Sequence, residues 1–333
     1  MSDLATVLVI GGQGALGRLC AQALHDAGLN VIRAGRRAED SPDFRLVDLD
    51  EPRTITDACA GVDLLVSTVR HPAHAAERTV LRDGGMLLTI ASLWASDWAQ
   101  LKADAAGGRG LVVLAGLAPG VYSLVLKQLL NEQPEADGLE IAGTFSVFQS
   151  SGPAGVMDFI HPAFTSSNRH PTRVFEFPAP IGRRRCLQVA GPEIGIFGDL
   201  ADGRSARAYF AMIERPIQAV LLVLNGLGLL SRVPRRLATA GRRFTRGRTT
   251  TEPKRDLLLA TRGARRLTGR FVEGQGDYLM TAAATVVFAR ALLGRQATEP
   301  RLTGVLGAEE IFELSELQSE FECGGIRILP LPS

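Results

Sequence analysis

Short unbroken apolar runs recur through the first third of the chain, at Thr6 to Ile10, Asn30 to Ala34, Phe44 to Val47, Val62 to Val66, Met86 to Ile90 and Leu111 to Ala115. A strand with one wet face alternates in polarity, whereas a strand covered on both faces reads as a continuous apolar run. The intervening segments Gly14 to Ala27, Arg53 to Ala60, Ala73 to Leu81 and Ser96 to Ala105 mix polar and apolar positions as helices packed on one side do. Strand and helix in regular succession predict an α/β fold with a doubly wound parallel sheet.

Beyond residue 120 the pattern changes. Leu139 to Phe148 alternates as a half-buried strand does, and Arg173 to Phe177, Arg185 to Val189, Leu257 to Thr261 and Leu267 to Val272 are further strand candidates. Asp277 to Leu293 reads as one helix closed by Gly294, apolar on nearly every face and so expected to be buried against the first domain. Residues 1–120 are the expected nucleotide-binding domain. Residues 121–333 are the expected α+β domain for substrate binding and dimerisation, with C-terminal helices returning to the first.

The first strand runs straight into Gly11-Gly-Gln-Gly-Ala-Leu-Gly17. In Gly12-x-Gly14-x-x-Gly17 the first glycine permits a tight turn, the second lets backbone approach a pyrophosphate, and the third lets helix and strand pack closely. Gly11, Gly12, Gln13, Gly14, Ala15, Leu16 and Gly17 are therefore the expected diphosphate cradle of a Rossmann domain, at a helix N-terminus whose N–H groups favour an anion. A glycine turn that merely joins a strand to a helix has the same spelling; its place at the head of a long α/β alternation favours the nucleotide.

An acid about 20 residues past the glycines would hold the ribose hydroxyls of NAD. Here Val31-Ile-Arg-Ala-Gly-Arg-Arg37 ends in arginines instead, and the planar guanidinium forks of Arg36 and Arg37 suit the 2′-phosphate of NADP(H). Asp48 and Leu49, after the third strand, are expected at the adenine edge, although Asp48 precedes Pro52 and also suits a helix start. Thr68, Val69 and Arg70 after the fourth strand, and Ser92 after the fifth, fall where strand carboxyl ends form the ligand crevice. His71 and His74 lack a third ligand, so no metal is expected.

Composition narrows the partners. A chain of 333 residues, 46% hydrophobic, can bury a large core. Its formal charge of +2 creates no overall field for nucleic acid, leaving a small-molecule substrate as the expected partner. Cysteines at 20, 59, 186 and 323 are too widely spaced for a metal knuckle. With no signal sequence ahead of Val7, they suggest reduced, buried thiols in a cytoplasmic protein.

Taken in order, the N-terminal glycine motif, Ala34-Gly-Arg-Arg37, Val47-Asp-Leu-Asp50, Gly116-Leu-Ala-Pro-Gly120, Gly274-Gln-Gly-Asp-Tyr-Leu-Met-Thr-Ala282 and Thr303-Gly-Val-Leu-Gly-Ala-Glu-Glu310 resemble the saccharopine dehydrogenase-like oxidoreductases. The resemblance spans most of the chain and is faintest from about 160 to 255. It implies a Rossmann domain joined to a second domain with a mixed sheet, with substrate between them over the nicotinamide. One departure stands out: Ser150-Ser-Gly-Pro-Ala-Gly155 and Met157-Asp-Phe-Ile-His161 lack the cationic groups that saccharopine-type substrates need.

Hydride transfer requires a proton donor for the developing anion or amine. Tyr122, Asp158 and His161 are the catalytic candidates, and Trp94, Pro119, Gly120, Ser150 and Ser151 the candidate pocket. Short-chain dehydrogenase chemistry is excluded, because Tyr122, Tyr209 and Tyr278 are followed four residues later by Leu126, Ile213 and Ala282 rather than lysine. The expectation is an NADP(H)-dependent reductase acting on a C=N, C=C or C=O bond of a small or acyl-like metabolite. Its rivals are a non-catalytic NADP sensor and a membrane-associated reductase of lipid-linked acyl groups.

Ile217 to Leu230 is very apolar, with Gln218 and Asn225 inside, and seven arginines follow between 232 and 248. It is too short to span a bilayer and fits a buried or interfacial helix. A substrate tunnel or a homodimer contact ranks above a membrane surface for residues 217–248.

Overall fold

All six early apolar runs form strands. The computed structural model describes residues 4–91, 93, 95–146, 165–189, 197, 200, 202–234, 253–296 and 302–331. In chain order these give β1 (Thr6–Ile10), α1 (Ala15–Asp26), β2 (Asn30–Gly35), β3 (Phe44–Leu46), α2 (Pro52–Ala58), β4 (Leu64–Ser67), α3 (Ala75–Asp83), β5 (Gly85–Thr89), α4 (Ala95–Asp104), β6 (Gly110–Leu114) and α5 (Val121–Glu132). There follow β7 (Gly138–Phe145), β8 (Thr172–Glu176), β9 (Arg183–Val189), β10 (Ser205–Met212), α6 (Arg215–Gly226), β11 (Lys254–Arg262), β12 (Arg265–Gly274), α7 (Asp277–Gln296), β13 (Gly304–Gly307), α8 (Ala308–Ile311), α9 (Leu314–Cys323) and β14 (Arg327–Pro330). The chain divides into two compact units, residues 1–124 with 278–324, and residues 125–277 with 325–333.

The first unit is a parallel sheet in the order β13-β6-β5-β4-β1-β2-β3. Strands β3-β2-β1-β4-β5-β6 are the Rossmann order, and β13 adds a seventh strand beside β6. Val7, Leu8, Val9 and Ile10 are all buried, as an unbroken apolar strand covered on both faces requires. The order of winding reverses between β1 and β4, so the residues after these two strands flank the crevice that open α/β sheets offer a ligand.

Helix α7 packs within this unit over more than half of its circumference. Met280, Ala284, Phe288 and Leu292 are buried, with Phe288 against Phe312 and Phe321, while Leu279 stays exposed. The helix is thus largely buried and belongs to the first unit, as its composition leads one to expect. Gly294 does not close the helix, which runs on to Gln296; an interior glycine costs a helix about 1 kcal/mol without ending it. The thiols are likewise not all buried: Cys20 and Cys186 are, Cys59 is intermediate and Cys323 is exposed. Burial pushes the Cys20 thiol up to about 12, against the opposing hydrogen bond with Thr285.

The second unit is a mixed sheet in the order β14-β12-β11-β7-β10-β9-β8, with β7 and β10 parallel and the other neighbours antiparallel. Phe175, Phe177, Ile181, Tyr209, Leu257, Leu259 and Phe271 fill one face. On the other, Leu187, Val189, Ala208 and Leu230 meet Leu221, Leu222 and Leu224. Strand β10 escapes a sequence reading because Ala208 and Tyr209 are both buried, on opposite faces, so alternation fails. The sheet curls: Arg173 on β8 reaches Glu140 on β7 and the Ala264 carbonyl at the β11–β12 turn.

A largely buried charge cluster pins β7 to β11. The Lys254 ammonium, 2% exposed, donates to Asp256 at 2.9 Å, Asp277 at 2.8 Å and the Thr144 carbonyl at 3.1 Å. Asp256 also accepts the Thr144 N–H at 2.9 Å. Burial alone would strip the lysine of its proton, but the two carboxylates outweigh that and hold its pKa above the ordinary lysine value. Replacing Lys254 by Met strands two carboxylates in the interior. It is expected to destabilise this unit by about 3–5 kcal/mol in urea unfolding, and the added change Asp256→Asn to restore part of the loss.

Candidate functional site

The turn after β1 is shaped by one carbonyl. The N–H groups of Gly11 and Gly12 both donate to the Ala34 carbonyl at the end of β2, at 3.0 and 2.9 Å. This turns the Gly11 carbonyl toward the helix, where it accepts the Gly14 N–H at 2.8 Å. A Cβ on residue 17 would lie 2.1 Å from that oxygen, so only glycine lets α1 begin this close to the strand. Gly11 has φ +81, and a Cβ there would strike Thr68 Oγ1 at 2.5 Å and Val69 Cγ1 at 2.6 Å. Thr68 is anchored in turn, its N–H and hydroxyl both donating to the Ile10 carbonyl.

Helix α1 starts at Gly14 without a side-chain cap and without an acid in its first turn. Its first N–H groups, beside the exposed Gly14 and Ala15, have the donors and the partial positive charge that a diphosphate needs. The Arg18 guanidinium donates to the Gln13 carbonyl on the same rim. This glycine cradle with its bare helix end fits the diphosphate of a dinucleotide.

The end of β2 adds a second anion-receptive feature. Gln13 Nε2 donates to the Arg37 carbonyl at 2.8 Å, and its amide lies across Gly35, where a Cβ would meet Oε1 at 2.6 Å. Arg36 and Arg37 extend into solvent, and among the described residues neither side chain makes an ion pair or a hydrogen bond. The nearby acid Glu39 is taken by Arg33. Asp48 is engaged locally: its Oδ1 accepts the Asp50 N–H at 3.1 Å, and its carbonyl accepts the Thr54 hydroxyl at 2.9 Å. Leu49 sits half-buried in the same turn.

Past β4 the chain forms an ionic cluster. Arg70 pairs with Asp97 at 2.8 Å, and the other oxygen of Asp97 lies 3.5 Å from His74 Nε2. His71 Nε2 is 3.1 Å from Asp50. His74 caps α3 in a left-handed conformation, φ 50, that costs a non-glycine residue roughly 1–3 kcal/mol. Its Nδ1 and that of His71 are buried with no hydrogen-bond partner among the described residues. Beneath them Glu77, 3% exposed, accepts the Thr89 hydroxyl at 3.1 Å. Among the described residues no group of three ligands could hold a metal ion.

The β6–α5 connection is a closed loop. Gly116 N–H donates to the Pro119 carbonyl at 2.8 Å and Val121 N–H to the Gly116 carbonyl at 3.0 Å, while Gly120, φ +116, presses against Gly116. Pro119 and Gly120 are buried, and so is Tyr122, 4% exposed in the first turn of α5. The Glu309 carboxyl at the carboxyl end of β13 rests on Gly307 and hydrogen-bonds Ser123; burial pushes its pKa up against that bond.

No protein-family model matches the sequence, and no curated protein matches it. Among solved structures, the apo saccharopine dehydrogenase (L-Glu forming) of Saccharomyces cerevisiae superposes over 98% of this chain and 100% of its own, with a TM-score of 0.61 at 12% identity. The fold is saccharopine dehydrogenase-like. An amine dehydrogenase from Mycobacterium smegmatis aligns over 91% of this chain and 94% of its own, with a TM-score of 0.48 at 12% identity.

In this saccharopine dehydrogenase-like fold, Gly11 to Gly17, Arg36, Arg37, Thr68, Val69 and Arg70 gather at the carboxyl edge of β1, β2 and β4. Ser92, Trp94, Ser150, Ser151, Asp158 and His161 lie outside the described residues. The sequence reading passed over Glu77, Asp97 and Glu309. A signal for the first two was present, an acid in the first turn of each helix that follows β4 and β5; Glu309 stood in a quoted motif, but nothing in the sequence marks it as buried.

Burial raises the pKa of Glu77, and the Thr89 hydroxyl and the nearby histidines only partly offset it. A carboxyl with a raised folded-state pKa contributes most below its unfolded value, and loses that contribution as pH rises through the folded one. Glu77→Gln removes the cost of an enclosed charge. The variant is expected to melt higher than the parent at pH 8 and level with it at pH 4, as read by thermal unfolding across that range.

Proposed function

We propose that the chain is an NADPH-dependent oxidoreductase that reduces a C=N, C=C or C=O bond of a small or acyl-like metabolite. One observation carries the reading: an uncapped helix N-terminus at the Rossmann glycine turn stands beside two guanidinium groups that have no partner among the described residues. The amides of α1 supply donors to the diphosphate without further rearrangement. Arg36 and Arg37 meet the 2′-phosphate, whose charge an acid at the end of β2 would repel. The fold supports the same broad class, since the superposed yeast protein is a dehydrogenase.

The bound nicotinamide would supply the hydride. The protein's share is to hold the nucleotide and to deliver a proton to the acceptor. Glu309 is suited to the second task because its raised pKa keeps a proton on the carboxyl at higher pH than an ordinary glutamate, with the Ser123 hydroxyl as its hydrogen-bond partner. Tyr122, although buried, starts the helix that carries Ser123 and stays a second candidate.

Fluorescence titration distinguishes the cofactors. NADPH is expected to bind at least about tenfold more tightly than NADH, since a charge-assisted hydrogen bond contributes about 1.5–3 kcal/mol. Replacing Arg36 and Arg37 by Ala together is expected to erase that preference and leave NADH binding unchanged. Equal affinities in the parent protein would contradict the NADP assignment.

A further inference from the structure

Helix α6 is built inside out. Its two amide side chains face the protein: Gln218 accepts the Met212 N–H at 2.7 Å and donates to the Arg185 carbonyl at 2.6 Å, and Asn225 bonds the His170 backbone through both ends of its amide, at 2.7 and 3.0 Å. Leu221, Leu222 and Leu224 pack on the sheet beside them. The solvent face is left with Pro216, Ala219, Val220, Val223, Gly226 and Leu227. That spacing of three and four residues is one continuous stripe along the helix. Val220, Val223 and Leu227 are 58%, 60% and 62% exposed.

The sequence that opens and follows α6 carries charge of one sign. Between Glu214 and Glu252 there is no Asp or Glu, and there are eight arginines, Arg215 and Arg232 among them. The formal +2 of the chain is thus the sum of +8 in this stretch and −6 elsewhere. Exposed apolar residues on a short helix beside a concentrated basic stretch are the two signals that together hold a protein on an anionic lipid surface. We propose that the outer face of α6 docks on an anionic phospholipid bilayer, with Val220, Val223 and Leu227 entering the headgroup boundary and Arg215 and Arg232, exposed at the start of α6 and just beyond its end, facing the lipid charge.

A second copy of the chain fits this face less well. A two-fold contact through α6 would bring the exposed Arg215 and Arg232 of two copies together. The face itself, about 18 Å by about 10 Å for twelve residues, is roughly 200 Å² where a stable interface needs roughly 800 Å² per partner. A bilayer has neither difficulty: its charge is opposite, and a shallow apolar insertion is enough once electrostatics adds to it. The inference is independent of the nucleotide site, which lies on the other unit.

Flotation of the full chain with vesicles of phosphatidylcholine alone, and of phosphatidylcholine mixed with phosphatidylglycerol, tests it. The protein is expected to float with the anionic vesicles only, and to be released by high salt. Val220→Asp combined with Val223→Asp is expected to cut the bound fraction about tenfold while the circular dichroism and the melting temperature stay as in the parent, because both positions are already in water. Failure to float with either vesicle overturns the proposal, and so does equal flotation of the variant. A dimer on gel filtration that the variant splits, without vesicle binding, would assign the face to a second copy and overturn it as well.

Discussion

The Gly11 carbonyl, held toward α1 by a turn that hangs on Ala34, is the contact on which the first unit depends. It occupies the space of a side chain at residue 17, so strand and helix meet at van der Waals distance and the helix opens directly over the end of β1. Thr68 and Val69 close over Gly11 from β4, so the switch point of the sheet and the uncapped helix end form one rigid corner. Every feature suited to a dinucleotide, from the bare amides to the two solvent-facing arginines, is arranged around that corner.

The second unit meets a different constraint. It encloses polar groups at several points, and three of them are matched closely: Lys254 by two carboxylates and a carbonyl, Gln218 and Asn225 by backbone groups of β9, β10 and the chain before β8. A buried ion pair is poor evidence of stability by itself, but removing one partner from such a cluster is costly, which fixes the register of β7 against β11. In α6 the same rule has a surface consequence. With the amides turned to the sheet, the aliphatic groups of the opposite side, Val220, Val223 and Leu227, are left more than half exposed.

How much of this is legible in the sequence follows from what each residue type can signal. Unbroken apolar strands and a glycine turn have local causes, so β1 to β6 and the turn from β1 into α1 are readable to within a residue or two. Inverted packing is not. The direction in which α6 faces depends on acceptors at Arg185 and His170 that lie far away in sequence, and composition alone suggests a tunnel or a dimer contact instead. Gly294 fails as a stop signal because no left-handed cap forms there. Glu77 and Glu309 read as ordinary surface acids until the strands beside them are in place.

The helix end at Gly14 is the claim that can be examined most directly. A crystal structure of the protein grown with NADPH is expected to place the diphosphate within hydrogen-bond distance of the backbone N–H groups at the start of α1, with the 2′-phosphate beside Arg36 and Arg37. A nucleotide seated elsewhere, or a cradle that stays empty at saturating NADPH, would contradict it.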